Sequence, residues 1–154
     1  MSTYLLIKTI HIVSATILFG TGLGIAFFMF RSWFADDLQE KLFALRTTVL
    51  ADYLFTAPAA LIQPLTGAWL IWKGGFAWAD GWLLATYILY AVAAACWLPV
   101  VWIQRRLKRI VAASLAAHVP LPREYNRLFR LWFALGWPAF LGLVAVFFLM
   151  VIRP

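Results

Sequence analysis

Thr9-Ile-His11-Ile-Val-Ser14-Ala-Thr-Ile-Leu-Phe-Gly20-Thr-Gly22-Leu-Gly24-Ile-Ala-Phe-Phe-Met-Phe30 runs for 22 residues without a Lys, Arg, Asp or Glu. At about 1.5 Å per residue, that length matches one helical crossing of a hydrocarbon layer about 30 Å thick. Three more uncharged runs follow at 53–72, 81–104 and 131–152, of 20, 24 and 22 residues. They predict an all-α integral membrane four-helix bundle with helices at 4–30, 49–73, 81–104 and 131–152, the third extending past the membrane, in a single domain over 1–154. A membrane barrel would instead show alternating segments of about ten residues. Composition agrees, with 65% hydrophobic and 12% charged residues, far from a soluble domain. The bilayer is thus the first partner. The opening run is too long for a signal peptide and has neither a basic n-region nor an Ala-x-Ala site, so it is expected to stay in place.

A net charge of +7 would suggest nucleic acid in a soluble protein, but here the charges follow membrane topology, and no nucleic-acid partner is expected. Arg105, Arg106, Lys108, Arg109, Arg123, Arg127 and Arg130 lie between the third and fourth runs, and Arg31, Lys41 and Arg46 between the first and second. Lys8, Lys73 and Arg153 are left for the other side, ten charges against three. The positive-inside rule then places both termini outside the cytoplasm of a bacterial inner-membrane, multi-pass protein. Between the first two runs, Phe34, Leu38, Leu42, Leu45 and Val49 recur at helical spacing among Asp36, Asp37, Glu40, Lys41 and Arg46. This reads as an amphipathic helix on the cytoplasmic face or as an extension of the second helix. Leu107, Ile110, Val111 and Leu115 likewise continue the third helix, Pro120 and Pro122 end it, and 123–130 forms a basic turn into the fourth. Pro58 and Pro64 predict a kink in the second crossing, with Gln63 at hand for the freed polar groups.

Soluble-enzyme motifs are missing: the sequence has no nucleotide-binding glycine loop, no His-Glu-x-x-His, no serine nucleophile motif and no paired carboxylates within the runs. The single cysteine, Cys96, forms no intramolecular disulfide. His118 falls in a polar loop and reads as solvated. His11 is different, because an ionisable side chain inside a membrane helix is costly and is expected to face the bundle interior. Three readings compete for it. It could be the axial ligand of a b-type haem, a ligand to copper together with Met150 at a similar depth, or a structural histidine bonded to another helix. Lys8, one turn earlier, and Lys73 are candidates to meet haem propionates. Gly22, with Gly20 and Gly24, offers either close helix packing or room for a flat ligand. Trp69, Trp72, Phe76, Trp78 and Trp82 form an aromatic collar that reads as an interfacial belt in preference to a porphyrin or quinone platform.

Tyr4-Leu-Leu-Ile-Lys8-Thr-Ile-His11-Ile-Val, with Gln63-Pro64-Leu-Thr-Gly67, Gly81-Trp82-Leu and Trp97-Leu-Pro99-Val-Val-Trp-Ile-Gln104, resembles a family of bacterial four-helix integral membrane proteins classified as a domain of unknown function. The resemblance implies fold and location. More distantly, Lys8-x-x-His11 is similar to the opening of HemJ-type protoporphyrinogen oxidases and, more loosely, of CopD-type copper-resistance membrane proteins. The HemJ-type resemblance implies haem b held by His11 and, were the chain an enzyme, a haem-dependent oxidoreductase. That family also uses a lysine at the start of its third helix, and the corresponding stretch Gly81-Trp-Leu-Leu-Ala85-Thr86 has none. The expectation is a haem b or related porphyrin protein in electron transfer or haem handling. Its rivals are an accessory or scaffold subunit, in a homo-oligomer or a larger membrane complex, and a copper-handling protein.

Overall fold

The computed structural model describes residues 2–152. Helix α1 covers Thr3–Ser32 and begins at Ser2, whose hydroxyl accepts from the Leu5 amide at 3.4 Å. After a short turn, Asp37 caps α2, Leu38–Ala51, by accepting from the Gln39 amide. A π turn over Asp52–Thr56 leads directly into α3, Ala57–Gly74. Helix α4 spans Gly81–Ala117 and α5 spans Arg123–Ile152. The second predicted crossing is therefore one long helical segment, and the amphipathic stretch is its extension, not a separate surface helix. Residues 123–130, expected as a turn, form the first two turns of α5. Tyr125, Leu128, Phe129 and Trp132 recur there at three- and four-residue spacing, and all four are buried, so packing holds them in a helix.

Proline explains the π turn. Pro58 has no amide hydrogen for the Leu54 carbonyl and its ring crowds that carbonyl, so the ladder widens and the Ala57 amide reaches back to Asp52 O. Pro64 similarly frees the Ala60 carbonyl inside α3, and the Tyr90 hydroxyl of α4 donates to it at 2.6 Å. Helices α3 and α4 end on left-handed residues, Gly75 with φ 71° and His118 with φ 53°. The two-glycine turn after α3 suits that conformation. His118 is exposed, as its loop position predicts.

α4 and α5 pair along their length, α1 pairs with α3, and α2 packs on both α1 and α4. The core gathers at the basic end, the end carrying the α1–α2 and α4–α5 connections. Met29, Leu42, Leu45, Ile103, Leu107, Val111, Tyr125 and Phe129 are buried together there. Trp33 stacks on Tyr125 with centroids 5.9 Å apart and lies 4.4 Å from Phe129. Lys41 closes this end, donating from Nζ to the Ser32 and Trp33 carbonyls, both at 2.8 Å. It thereby occupies the carbonyl end of α1, where a cation is favoured.

All four long helical segments are long and apolar enough to cross a bilayer, yet only 6% to 22% of the most apolar window of each is buried within the chain. Phe28, Leu61, Leu65, Phe148 and Val151 point outward. Apolar surface on this scale needs lipid or another protein to cover it.

Candidate functional site

The sequence-predicted centre, His11, lies at the seam between α1 and α3 and is half-buried. Its Nδ1 is 2.7 Å from Thr66 Oγ1. The Thr66 hydroxyl is already committed, since it donates to the Ile62 carbonyl at 2.7 Å, one turn back in its own helix. With that proton on the carbonyl, the network is satisfied when Nδ1 carries the hydrogen and donates to Thr66 Oγ1. The assignment rests on the hydrogen-bond network. It leaves Nε2 as the nitrogen with a bare lone pair. Gly67 lies against the ring, and a Cβ there would stand 3.4 Å from His11 Cε1, at van der Waals contact.

Gln63 fixes the backbone beneath the ring. Its amide nitrogen donates to the His11 carbonyl at 2.8 Å and to Ser14 Oγ at 2.9 Å, and Ser14 donates on to the Ala59 carbonyl at 3.2 Å. Ser14, Gln63 and Thr66 thus form a polar clasp that joins α1 to α3 and sets the imidazole's orientation. Polar side chains that bond across helices are a recognised way of pairing helices in lipid, where apolar burial gives little preference.

The other expected residues are more dispersed. Lys8 is exposed one turn closer to the N-terminus than His11. Lys73 sits near the same end of the bundle, and its Nζ lies 4.0 Å from the Trp72 ring centroid in a cation–π contact. Met150 is in the last turns of α5, also in the half that carries the termini. Gly22 is eleven residues beyond His11 on α1, about 16 Å along the axis. A Cβ built at Gly20, Gly22 or Gly24 would touch nothing within 4 Å, so this stripe is not a tight helix-packing surface within the chain. Arg153 falls outside the described residues. Among those described, no three His, Cys, Asp or Glu side chains form a metal-binding group. Two surface grooves lie elsewhere, one lined by Trp102, Arg105, Arg106 and Arg109 and the other by Phe30, Trp33, Phe34, Phe129, Arg130 and Phe133.

A family model described as "Predicted integral membrane protein (DUF2269)" matches residues 5–154. The chain belongs to this family. No curated protein and no solved structure matches it. Membership of DUF2269 fixes an integral membrane protein and agrees with the four apolar helical segments.

Within this DUF2269 chain, the sequence reading selected His11 and named Gln63 for the polar groups freed by proline, but did not connect Gln63 or Thr66 with His11, where their bonds go. Thr66 and Gly67 carry no signal by composition. A usable signal did exist in the spacing of Ala59, Gln63 and Thr66, which fall at i, i+4 and i+7 on one helical face. Ser14 and His11 share a face of α1 three residues apart.

Proposed function

We propose that this integral membrane protein binds one b-type haem, or a related porphyrin, through His11 Nε2, in a bacterial inner membrane, and serves in electron transfer or haem handling. The observation that carries the reading is the 2.7 Å contact of His11 Nδ1 with Thr66 Oγ1, whose own proton goes to the Ile62 carbonyl; a hydrogen on Nδ1 fits this network and leaves Nε2 as the ligand atom. An orienting hydrogen bond on the distal ring nitrogen is what metal-bound histidines ordinarily have. One histidine suits haem, since the macrocycle brings its own four nitrogens and several haem proteins hold the iron through one axial imidazole. A bare copper ion would need further ligands from the chain, which makes copper the weaker reading. Lys8, exposed one turn from His11, is the side chain that would meet a propionate. Lys73 would first have to leave the Trp72 ring, and Gly22 lies at a different level of the bundle. The haem supplies one-electron chemistry when bound. The chain's own residues orient the imidazole, fix its tautomer and tie α1 to α3.

The test is a reduced-minus-oxidised absorbance spectrum of the purified protein. The expected result is a b-type band at up to one haem per chain, lost in His11→Ala and weakened about 10–100-fold in haem affinity by Thr66→Val. A colourless protein after expression with ample haem, or an unchanged band in His11→Ala, overturns the proposal.

One observation favours a second reading. Gln63 bonds the His11 backbone and Ser14 without using the imidazole, so the clasp has a purely structural purpose as well. An accessory or scaffold subunit of a homo-oligomer or larger complex would then be colourless, and Thr66→Val would loosen the α1–α3 pair as much as His11→Ala.

A further inference from the structure

Helix α4 outruns its own apolar stretch. The run without Lys, Arg, Asp or Glu ends at Gln104, but the helix continues to Ala117. Just beyond that edge Arg105, Arg106, Lys108 and Arg109 put four cations into five positions. Trp102, Arg105, Arg106 and Arg109 fall at i, i+3, i+4 and i+7, the spacing of one helical face. Together they line a groove of about 300 Å³ on the surface of the bundle.

One carboxylate answers this charge. Glu124, at the start of α5, accepts from Arg106 Nε at 2.8 Å and from Arg106 Nη2 at 3.3 Å. The two parallel bonds fix the plane of that guanidinium. Arg105 and Arg109 are exposed and take no part in the pair. Asp36, Asp37 and Glu40 belong to the α1–α2 connection and the first turn of α2, Asp52 is buried, and Asp80 caps the far end of α4. Three arginines against one glutamate leave the groove with two positive charges in excess.

Depth indicates what meets that charge. On the basic side the uncharged runs of α1, α4 and α5 are bounded by Phe30, Gln104 and Leu131, which marks the rim of the hydrocarbon layer. Polar headgroups extend about 5–8 Å past such a rim. At about 1.5 Å per residue, Arg105 to Arg109 stand about 1.5–8 Å beyond it, within the headgroup layer. Trp102, 59% exposed, stands on the apolar side, where an indole is favoured. The arginine fork matches phosphate oxygens, and basic pockets at this level of a helix bundle hold acidic lipid headgroups. A zwitterionic headgroup brings its own cation and so matches the excess less well than an anionic one. We propose that this groove binds the phosphate of one anionic glycerophospholipid. Arg105 and Arg109 are its main partners, Glu124 steadies Arg106 beside them, and Trp102 covers the glycerol and upper acyl chain. The site lies at the opposite end of the bundle from His11 and is independent of whether that residue holds haem.

The experiment offers the full chain, in non-ionic detergent, equimolar phosphatidylglycerol and phosphatidylcholine with identical acyl chains, and counts bound lipid by native mass spectrometry. One phosphatidylglycerol per chain is expected, held at least about tenfold tighter than phosphatidylcholine and weakened by added salt. Arg105→Gln combined with Arg109→Gln should lower that affinity about thirtyfold, the share of two basic side chains near an anionic surface. Arg31→Gln combined with Arg46→Gln removes the same charge from the same end outside the groove and should leave the affinity unchanged. All four arginines are exposed, so both double variants keep the fold. Equal binding of the two lipids overturns the proposal. An equal loss in the two double variants also overturns it, in favour of a diffuse basic surface. Displacement of phosphatidylglycerol by inorganic phosphate at matched concentration overturns it in favour of a free-anion site.

Discussion

At the basic end, Met29, Leu107 and Phe129 lie in a packed apolar core under stacked aromatic rings, whereas in the half that carries the termini α1 and α3 meet through Ser14, Gln63, His11 and Thr66. The first arrangement is what water selects, because burying apolar area there is favourable at about 25 cal/mol per Å². The second suits lipid, where an apolar side chain is as well solvated outside the bundle as inside and direction comes from hydrogen bonds. The contrast locates where each kind of force works along one chain. It also separates stability from function: the better-packed end contains none of the candidate ligands, and the ligand end is held by a few polar contacts.

The contrast can be broken most sharply by cutting the core. Leu107→Ala, at a residue with no exposed surface, should cost about 2–5 kcal/mol through lost burial and an unfilled cavity. Thermal unfolding in detergent measures it, and a cost below that of the clasp variants would show that the basic end is not the stabilising region. A smaller effect is expected from Gln63→Leu, which removes the two bonds that Gln63 donates to α1. Interhelical hydrogen bonds in membranes average about 0.6 kcal/mol and reach about 1.7, so the melting shift should be modest while His11 becomes more accessible to a histidine-modifying reagent. A shift as large as that of Leu107→Ala would contradict the division. The smallest effect belongs to Glu124→Gln. Its partner Arg106 lies across a solvent-exposed pair at 2.8 Å, and exposed pairs contribute little. The melting temperature should not change measurably at either low or high salt.

Much of this was readable in the chain. Uncharged runs gave the four crossings, and the spacing of Leu42, Leu45 and Val49 gave a helix there, because helical periodicity survives whatever surrounds the helix; whether it lay on the surface or extended the second crossing was decided only by the structure, which has it continuous with α3. His11 was also legible, as an imidazole in a charge-free run. What escaped were pairings between distant residues. Thr66, 55 positions away, gains its meaning only from standing beside His11. Asp52 was hidden for a different reason: it sits at the edge of an uncharged run, where a carboxylate ordinarily marks a membrane boundary, and only the packing of the helices shows it to be enclosed, at 3% exposure. The start of α5 was missed because Arg123, Arg127 and Arg130 dominate its composition, although the aromatic residues between them carry its buried face.

The widened turn at Asp52–Thr56 also acts as a phase setter. An α-helix advances about 100° per residue, so a chain one residue shorter through this turn would rotate Gln63 and Thr66 by that angle relative to Leu42 and Leu45. The lower part of the segment could keep its seat while the upper part swung its polar edge off α1, leaving His11 without its clamp. Length in this short interval is therefore under tighter geometric control than side-chain identity, and the proline that causes the widening acts as the timing element of a two-part helix.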